Sequence, residues 1–285
     1  MTRTALIVAH PLRPEALTAA QEAEVALAQA GFAVRTDSEA ISEAELASVE
    51  IAVVLGGDGT ILRAAQLTRG TDVPILGVNL GHVGFLAESD REDISAAAAR
   101  LAAGDYEVEE RGTLDVTVTH NGDRLATDWA LNEATVEKAN PGRMLEVAVE
   151  VDGRPLSAFG CDGVVMATST GSTAHAFSAG GPVVWPDVDA MLLVPVSAHA
   201  LFARPLVVGP GSVFAVEILA RSATPGTMSC DGARGRDLPV GSRIEVRRSP
   251  VPVRLARLSP APFTDRLVGK FSLPVAGWRG RPLEG

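Results

Sequence analysis

The first hundred residues alternate short apolar runs with longer, helix-forming segments. The apolar runs have the length of buried strands, and the segments between them are rich in Ala, Glu and Gln. Gly31 and Gly104 follow two of these segments, where a helix would end. Strands that alternate with helices of this length predict a parallel sheet covered by helices. The predicted strands are 5–9, 32–35, 51–55 and 75–78, and the predicted helices are 15–30, 60–69 and 92–103.

The pattern changes after about residue 104. From 106 to 257, apolar and polar residues alternate, as in 114–119 and 145–151, which is the period of a strand with one buried face. Asn121-Gly122 and Asp152-Gly153 separate such runs and are typical of tight β-hairpins. We therefore expect an α/β domain at 1–104 and an antiparallel, sandwich-like β domain at 105–261.

Length, charge and cysteine content narrow the class of protein. The chain has 285 residues, enough for about two domains, and its most apolar stretch, 190–203, is interrupted by polar residues and reads as strand and loop rather than membrane span. We expect no signal peptide. Two cysteines are too few for a disulfide framework, which favours location of the protein in the reducing cytoplasm. The net charge of −10 excludes a protein that coats nucleic acid. Only Lys138 and Lys270 are lysines, and neither lies in a P-loop sequence.

The charge is unevenly distributed along the chain. Residues 1–105 contain seven arginines and fifteen acids, a net charge of −8, whereas residues 243–285 contain nine basic residues and three acids, a net charge of +6. Two explanations stay open. Either the basic tail lies against an acidic surface of its own chain, or it forms a solvated, arginine-rich strand edge.

A glycine-rich loop follows the predicted strand 51–55. In Gly56-Gly57-Asp58-Gly59-Thr60, the glycines allow a ligand to approach the backbone, and the helix that follows presents free N–H groups to an anion. Asp58 is unusual there, because a carboxylate repels phosphate unless it binds a metal or takes a proton. The alternative is a tight turn in which Asp58 caps the helix. Arg63 lies about one turn further on and either reaches a phosphate or is a surface residue.

Two further polar segments are candidates for ligand binding. The pair Asn132-Glu133 suits a ribose or a purine edge, although such a pair also begins many loops. The run 162–181 contains five hydroxyl residues around Gly171, which offer neutral donors and little bulk to a polar ligand such as a nucleotide. The alternative for this run is a Gly/Ser loop without a ligand.

In this order, the three segments resemble those of the NAD kinase family. The resemblance extends over nearly the whole chain, through Asn79-Leu-Gly-His-Val-Gly-Phe-Leu86, His199-Ala-Leu-Phe-Ala-Arg-Pro205 and residues 271–281. The glycine-rich loop alone is shared with diacylglycerol, sphingosine and phosphofructokinase relatives, whereas the full set is specific. The resemblance implies an α/β nucleotide-binding domain at 1–104 followed by a β-sandwich NAD-binding domain at 105–261, with the tail 262–285 returning to the first domain.

The resemblance also implies a reaction and its participants. A phosphoryl group would pass from ATP or inorganic polyphosphate, with Mg²⁺ or Mn²⁺, to the adenosine 2′-hydroxyl of NAD, giving NADP. Asp58 would orient this hydroxyl and accept its proton, and Asp162 would approach the nicotinamide end from a neighbouring subunit of a homodimer or homotetramer. No protein ligand to the metal is predicted. The implied binding residues are Gly57, Gly59, Thr60, Arg63, Phe85, Asn132, Glu133, Arg143, Asp162, Thr173, Ala174, His175 and Ser178.

The chain departs from the family pattern at two positions. Ser169 stands where the family usually has Pro, and His175 stands where it usually has Tyr. The second change removes stacking area but keeps an aromatic ring with a polar edge, so affinity is affected more than chemistry. Two other functions stay open: a non-catalytic dinucleotide-binding regulator, and a related kinase with a lipid or sugar acceptor.

Overall fold

A computed structural model describes residues 3–37, 41–81, 84–87, 89–90, 93–259 and 262–275. Two positions of the Asn79 to Leu86 run and the end of the tail from residue 276 lie outside these ranges. The strands are β1 (Thr4–Ala9), β2 (Ala33–Thr36), β3 (Val49–Leu55), β4 (Ile75–Asn79), β5 (Ser89–Asp90), β6 (Glu107–Arg111), β7 (Leu114–His120), β8 (Asp123–Ala130), β9 (Glu133–Lys138), β10 (Leu145–Val151), β11 (Arg154–Cys161), β12 (Gly163–Thr168), β13 (Met191–Val196), β14 (Leu206–Val208), β15 (Val213–Ile218), β16 (Gly226–Cys230), β17 (Arg234–Leu238), β18 (Ser242–Arg248) and β19 (Val253–Arg257). The α-helices are α1 (Pro14–Gln29), α2 (Glu43–Leu46), α3 (Asp58–Leu67), α4 (Ile94–Ala103), α5 (His175–Ser178) and α6 (Phe263–Phe271), and a 3₁₀ helix covers Thr170–Thr173.

The first of two compact units is built on a seven-stranded sheet. The strand order is β2-β1-β3-β4-β19-β6, and β5 also pairs with β4. The pairs from β2 to β4 are parallel, as is that of β4 with β19. Alanines spaced along one side of α1 are buried in a core shared with the sheet and α4. The predicted parallel α/β fold is confirmed.

The first unit is discontinuous in sequence. It comprises the chain up to Glu110 and from Arg254 onward, and the second unit is Arg111–Val253. The sequence instead placed the divisions after 104 and before 262. The units divide where they do because β6 and β19 belong to the seven-stranded sheet of the first unit. The chain therefore returns to the first domain, as expected, but it does so with a strand as well as with the tail.

The basic residues of the returning segment have acidic partners in the first unit. Arg254 forms ion pairs with Asp72 and Glu110, and Arg257 binds Glu109 at 2.6 Å. Of the two explanations for the uneven charge, these contacts favour a tail that lies against an acidic surface of its own chain.

The second unit consists of two six-stranded antiparallel sheets. Their strand orders are β11-β10-β15-β18-β7-β8 and β14-β13-β12-β9-β16-β17. Inward-facing residues of both sheets form one core, and β12 is buried on both faces because Val165 and Ala167 pack in a second cluster with Ala176. The predicted β-sandwich is confirmed. Among the described residues, no helix has both the length and the apolar character needed to cross a membrane.

The two predicted hairpin turns are present in the second unit. Asn121 and Gly122 connect β7 to β8 with φ of 52° and 87°, and Asp152 and Gly153 connect β10 to β11 with φ of 53° and 71°. Positive φ at both central residues is the requirement of the two-residue turn that matches the twist of a hairpin.

Candidate functional site

A cleft in the first unit lies at the carboxyl ends of β1 and β3. These strands are neighbours, but the chain leaves β1 towards β2 on one side and returns to β3 on the other, which makes a topological switch point where α/β folds bind ligands. The cleft has a volume of about 460 Å³, within the usual range for a small-molecule site. Its lining residues are His10, Pro11, Arg13, Gly57, Gly59, Thr60 and Arg63.

Asp58 begins helix α3, and its side chain turns away from the helix backbone. The N-cap is Gly57, and no side-chain cap is formed. The two carboxylate oxygens of Asp58 instead accept hydrogen bonds from the backbone N–H groups of Phe85 and Leu86, each at 3.2 Å. The capping alternative is therefore not what the structure shows: a loop distant in sequence holds the carboxylate.

Gly84 makes the approach of that loop to Asp58 possible. A Cβ atom at Gly84 would lie 2.5 Å from Asp58 Oδ1, closer than atoms can pack. The ring of the adjacent Phe85 is buried between Phe263 and Phe271 of α6, with ring centroids 5.8 Å apart in both pairs. The sequence singled out Phe85 but neither Gly84 nor the two aromatic residues.

Arg63 lines the cleft but already has partners. Its guanidinium lies 2.5 Å from a carboxylate oxygen of Asp37 and donates to the backbone oxygen of Ala9 at 2.6 Å. The sequence left two roles open for this arginine, that of a phosphate ligand and that of a surface residue. In the structure it joins β1 to α3, and a phosphate in the cleft would share it with Asp37.

A second group of candidate residues lies in the second unit, around the start of β9. The carboxylate of the buried Asp231 accepts hydrogen bonds from the N–H groups of Leu131 at 3.0 Å and Asn132 at 2.7 Å. Arg234 binds the same carboxylate at 3.2 Å and Asp128 at 2.9 Å. This arrangement fixes the backbone that presents Asn132.

Glu133 is a buried acid with an unusual protonation equilibrium. The residue is 7% exposed, and burial raises the pKa of its carboxyl group to about 7, with a further contribution from the charge of Asp231. The N–H of His175 donates to this carboxyl group and partly offsets the rise. Since a protonated carboxyl group can donate a hydrogen bond, Glu133 can act as either donor or acceptor near neutral pH.

We expect Glu133→Gln to become more stable, relative to the natural protein, as pH rises from about 5 to 8. Because the pKa of Glu133 is raised on folding, the folded state binds more protons than the unfolded state between about 4.5 and 7, and stability falls with pH across that window. Gln lacks this titration, so the difference in unfolding free energy should grow by about 2 to 3 kcal/mol. Denaturant unfolding at several pH values measures it.

The matched control is Glu137→Gln on the same strand. The Glu137 side chain is 46% exposed, so the same chemical change removes a carboxylate that stays largely hydrated in the folded protein. The prediction would be contradicted if the difference in unfolding free energy between Glu133→Gln and the natural protein did not change with pH, or changed as little as it does for the control.

Most of the predicted hydroxyl donors face inward rather than towards a ligand. Thr168 Oγ1 donates to the backbone oxygen of Leu131 at 2.6 Å, Ser169 binds the backbone oxygen of Val188, and Ser172 Oγ donates to Val184 O at 3.1 Å. The expectation that the whole run supplies donors to a nucleotide is therefore corrected. Of the binding residues predicted in this run, Thr173, Ala174 and His175 are half-buried and Ser178 is exposed.

Gly171 allows two polar segments to lie in contact. A Cβ atom built on it would be 2.0 Å from the backbone oxygen of Asn132. The N–H of Thr168 donates to that same oxygen at 2.9 Å, and the N–H of Gly171 donates to Thr168 Oγ1 at 3.0 Å. The Asn132-Glu133 segment and the hydroxyl run, predicted separately, are therefore one connected structure.

The remaining predicted residues also belong to the second unit. Asp162 precedes β12 and pairs with Lys138 at 2.5 Å, and this ion pair lowers the pKa of the Asp162 carboxyl group. His175 Nε2 lies 4.0 Å from an oxygen of Glu137. Arg143 is exposed in the turn before β10.

Comparisons with known proteins identify relatives of both units. The family model for the ATP-NAD kinase N-terminal domain matches residues 35–106, and that for the C-terminal domain matches residues 131–258. The NAD kinase of Leifsonia xyli is 58% identical, with 98% of this chain and 97% of that protein covered. The NAD kinase 2 of Streptomyces coelicolor is 55% identical, with 98% of each chain covered.

Two solved structures are similar to the fold described above. The crystal structure of an NAD kinase from Archaeoglobus fulgidus in complex with ATP has a TM-score of 0.74 and 28% identity, covering 95% of this chain and 99% of that one. Yeast NADH kinase complexed with NADH has a TM-score of 0.88 and 21% identity, covering 98% and 90%. The second likeness concerns the fold alone.

Proposed function

This chain belongs to the NAD kinase family, and from that premise we propose that it transfers a phosphoryl group to the adenosine 2′-hydroxyl of NAD, with Asp58 accepting the hydroxyl proton. The observation that carries the assignment of Asp58 is its place at the carboxyl end of β3, beside the cleft, where two backbone N–H groups hold its carboxylate.

The carboxylate of Asp58 has the capacity for this role. Each oxygen accepts one backbone hydrogen bond, and an ionised carboxylate oxygen has two lone pairs, so each can accept a second bond from a substrate hydroxyl. Phosphoryl transfer passes through a loose transition state in which the proton leaves late. Orientation of the 2′-hydroxyl is therefore the main contribution of Asp58, and acceptance of its proton follows.

The dinucleotide-binding roles are assigned in each unit separately. In the second unit, Asn132 would contact the adenine or its ribose, and Asp162 would approach the nicotinamide end. In the first unit, the ring of Phe85 is already packed against Phe263 and Phe271, so its place near the adenine stays a prediction. The support in the second unit is the rigid backbone around Asn132 and the half-buried surface formed by Thr173, Ala174 and His175. Glu133 and Ser178 belong to the same pocket, and Arg143 is assigned near the dinucleotide.

The phosphates of the donor are assigned to backbone N–H groups rather than to lysines. Gly57, Gly59 and Thr60 line the cleft at the start of α3. The first N–H groups of a helix have no carbonyl partner one turn back and can bind an anion, although the N–H of Thr60 already donates to Gly57 O at 2.8 Å. Arg13 lines the same cleft and supplies a positive charge. ATP and inorganic polyphosphate both present the phosphate chain that such a site recognises.

A divalent metal fits these residues only together with the donor. Among the described residues there is no group of three or more His, Cys, Asp and Glu side chains placed to hold a metal ion. Mg²⁺ is commonly bound by one or two carboxylates with water and substrate phosphates, and Asp58 is the carboxylate of the loop beside the cleft. When bound, the metal would neutralise charge that develops on the phosphates.

We expect turnover to be lost in excess EDTA and restored by Mg²⁺ or Mn²⁺, with the melting temperature unchanged by EDTA alone. Both outcomes follow if the metal enters with the donor and is not part of the folded protein. Initial rates and thermal melting measure them. Turnover that persists in excess EDTA would show that the phosphates are held without a metal.

The activity itself is tested with NAD, Mg²⁺ and either ATP or polyphosphate, with NADP read by an NADP-specific dehydrogenase. Accumulation of NADP with at least one donor is the expected result, and comparison of the two donors identifies the one used. NAD binding without NADP would instead indicate the regulator, and family membership already disfavours a lipid or sugar acceptor. The cytoplasmic location and the homodimer or homotetramer stay predictions.

A further inference from the structure

The C-terminal helix α6 binds the loop that holds Asp58. Arg266 of α6 donates from Nη1 to the backbone oxygen of Phe85 at 3.1 Å. Phe263 and Phe271, one at each end of the helix, enclose the ring of the same residue. The helix therefore contacts both the backbone and the side chain of Phe85.

One peptide group links the guanidinium of Arg266 to the carboxylate of Asp58. Its oxygen is Phe85 O, which accepts from Arg266, and its N–H is that of Leu86, which donates to Asp58 Oδ1 at 3.2 Å. A cation at the carbonyl end of a peptide polarises its N–H and strengthens the bond that this N–H donates. A residue that follows Asp58 by more than two hundred positions thus acts on its carboxylate through a single peptide group.

The neighbouring peptides limit the movement of this link. The N–H of Phe85 donates to Asp58 Oδ2, so both carboxylate oxygens are tied to consecutive residues. On the other side, Arg257 donates to Leu86 O at 3.2 Å and is itself bound to Glu109 at 2.6 Å. Two arginines from the returning segment therefore hold two consecutive carbonyl groups of the loop.

We propose that Arg266 is a positioning residue for the phosphoryl-transfer step: its guanidinium, through the peptide between Phe85 and Leu86, sets the orientation of the Asp58 carboxylate towards the acceptor hydroxyl. The proposal rests on the proposed role of Asp58. It assigns to α6 a contribution to turnover rather than to substrate affinity.

The test compares Arg266→Met with Arg266→Lys and with a matched control on the same helix. Met keeps most of the aliphatic stem but cannot donate, and Lys restores a charged donor. Lys270→Met removes the same charge from an exposed position of α6. We expect kcat of Arg266→Met to fall about tenfold, because a small misplacement of a catalytic group caused by a distant substitution can slow turnover by up to about 10²-fold, with KM for NAD and for the donor within twofold. Arg266→Lys should recover part of kcat, and Lys270→Met should match the natural enzyme.

Several results would overturn the proposal. One is an unchanged kcat in Arg266→Met. Another is a loss of kcat that is explained by unfolding. In that case kcat would fall in proportion to the folded fraction measured by thermal melting, and Arg266→Lys would lose as much as Arg266→Met. A rise in KM for NAD without a fall in kcat would make Arg266 a binding residue instead. If Asp58→Asn turns over normally, the proposed role of Asp58 fails first; if Asp58→Asn is inactive while Arg266→Met is fully active, only the present inference fails.

Discussion

Asp58→Asn is expected to bind NAD with nearly the natural affinity and to lose kcat by a factor of about 10² to 10⁴, the usual contribution of a positioned acid or base. Asn keeps the size of the side chain and one oxygen that can accept from Phe85 or Leu86, but it cannot accept the proton of the 2′-hydroxyl. The loss should therefore fall on turnover. Calorimetric titration of NAD and the rate of NADP formation separate binding from turnover.

The control for this substitution is Asp105→Asn. Asp105 is an exposed carboxylate of the same unit that pairs with Arg100 at 2.7 Å, so the same chemical change is made outside the glycine-rich loop and the cleft lining. It should leave both binding and turnover unchanged. A near-natural kcat in Asp58→Asn would reject Asp58 as the proton acceptor, and equal loss of NAD binding and turnover would make it a binding residue.

Gly171→Ala is expected to destabilise the β-sandwich by about 3 kcal/mol or more and to weaken NAD binding. The new methyl group would meet the backbone oxygen of Asn132 at 2.0 Å, and neither partner is a flexible side-chain end that could turn aside. Overpacking of this kind costs about 1 to 3 kcal/mol, and separating the segments also strains the bond from Thr168 to Asn132. Thermal melting should show a fall of about 10 °C.

Gly211→Ala provides the comparison within the same unit. A Cβ atom there has nothing within 4 Å, and the backbone of Gly211 is not in the left-handed region. Its effect should stay within about 0.5 kcal/mol, as for most surface substitutions. If Gly171→Ala has the same melting temperature as the control and binds NAD normally, the contact between Gly171 and the backbone of Asn132 is not tight in solution.

The sequence predicts strands well where the chain itself marks their ends. The early β-α units are delimited by glycines and by a change in hydrophobic period, so local information is sufficient. The strand β6 is rich in charge, and β19 lies in a stretch whose alternation resembles that of the sandwich strands. Alternation shows which side chains are buried but not which strand is the partner. The placement of β19 beside β4 in a parallel sheet could therefore not be predicted.

The candidate site was predictable in its motifs but not in their connections. Asp58, Asn132 and Glu133 follow from residue types that suit the chemistry. The bond between Asp58 and the backbone at Phe85, and the support of Asn132 by Asp231, depend on segments brought together by the fold. Asp231 is followed by Gly232, a pair typical of a tight turn, so the local sequence does not distinguish Asp231 as the support of Asn132. The direction of the hydroxyl groups in the run after β12 depends on nearby backbone oxygens that no sequence pattern reveals.

The return of the chain to the first unit determines the order in which the protein can be completed during synthesis. The sandwich is continuous in sequence, so all of its strands are available once β18 has emerged from the ribosome. The parallel sheet lacks β19 until later. Until then β5 covers β4 only at Val78 and Asn79, and the part of the β4 edge at Ile75, which β19 later pairs, is open to pairing with another chain. The loop that holds Asp58 also lacks its hydrogen bonds from Arg257 and Arg266 until those residues have been synthesised. A chain released before β19 and α6 are synthesised would thus contain all strands of the sandwich, whereas the first unit would lack β19 and the support of its Asp58 loop.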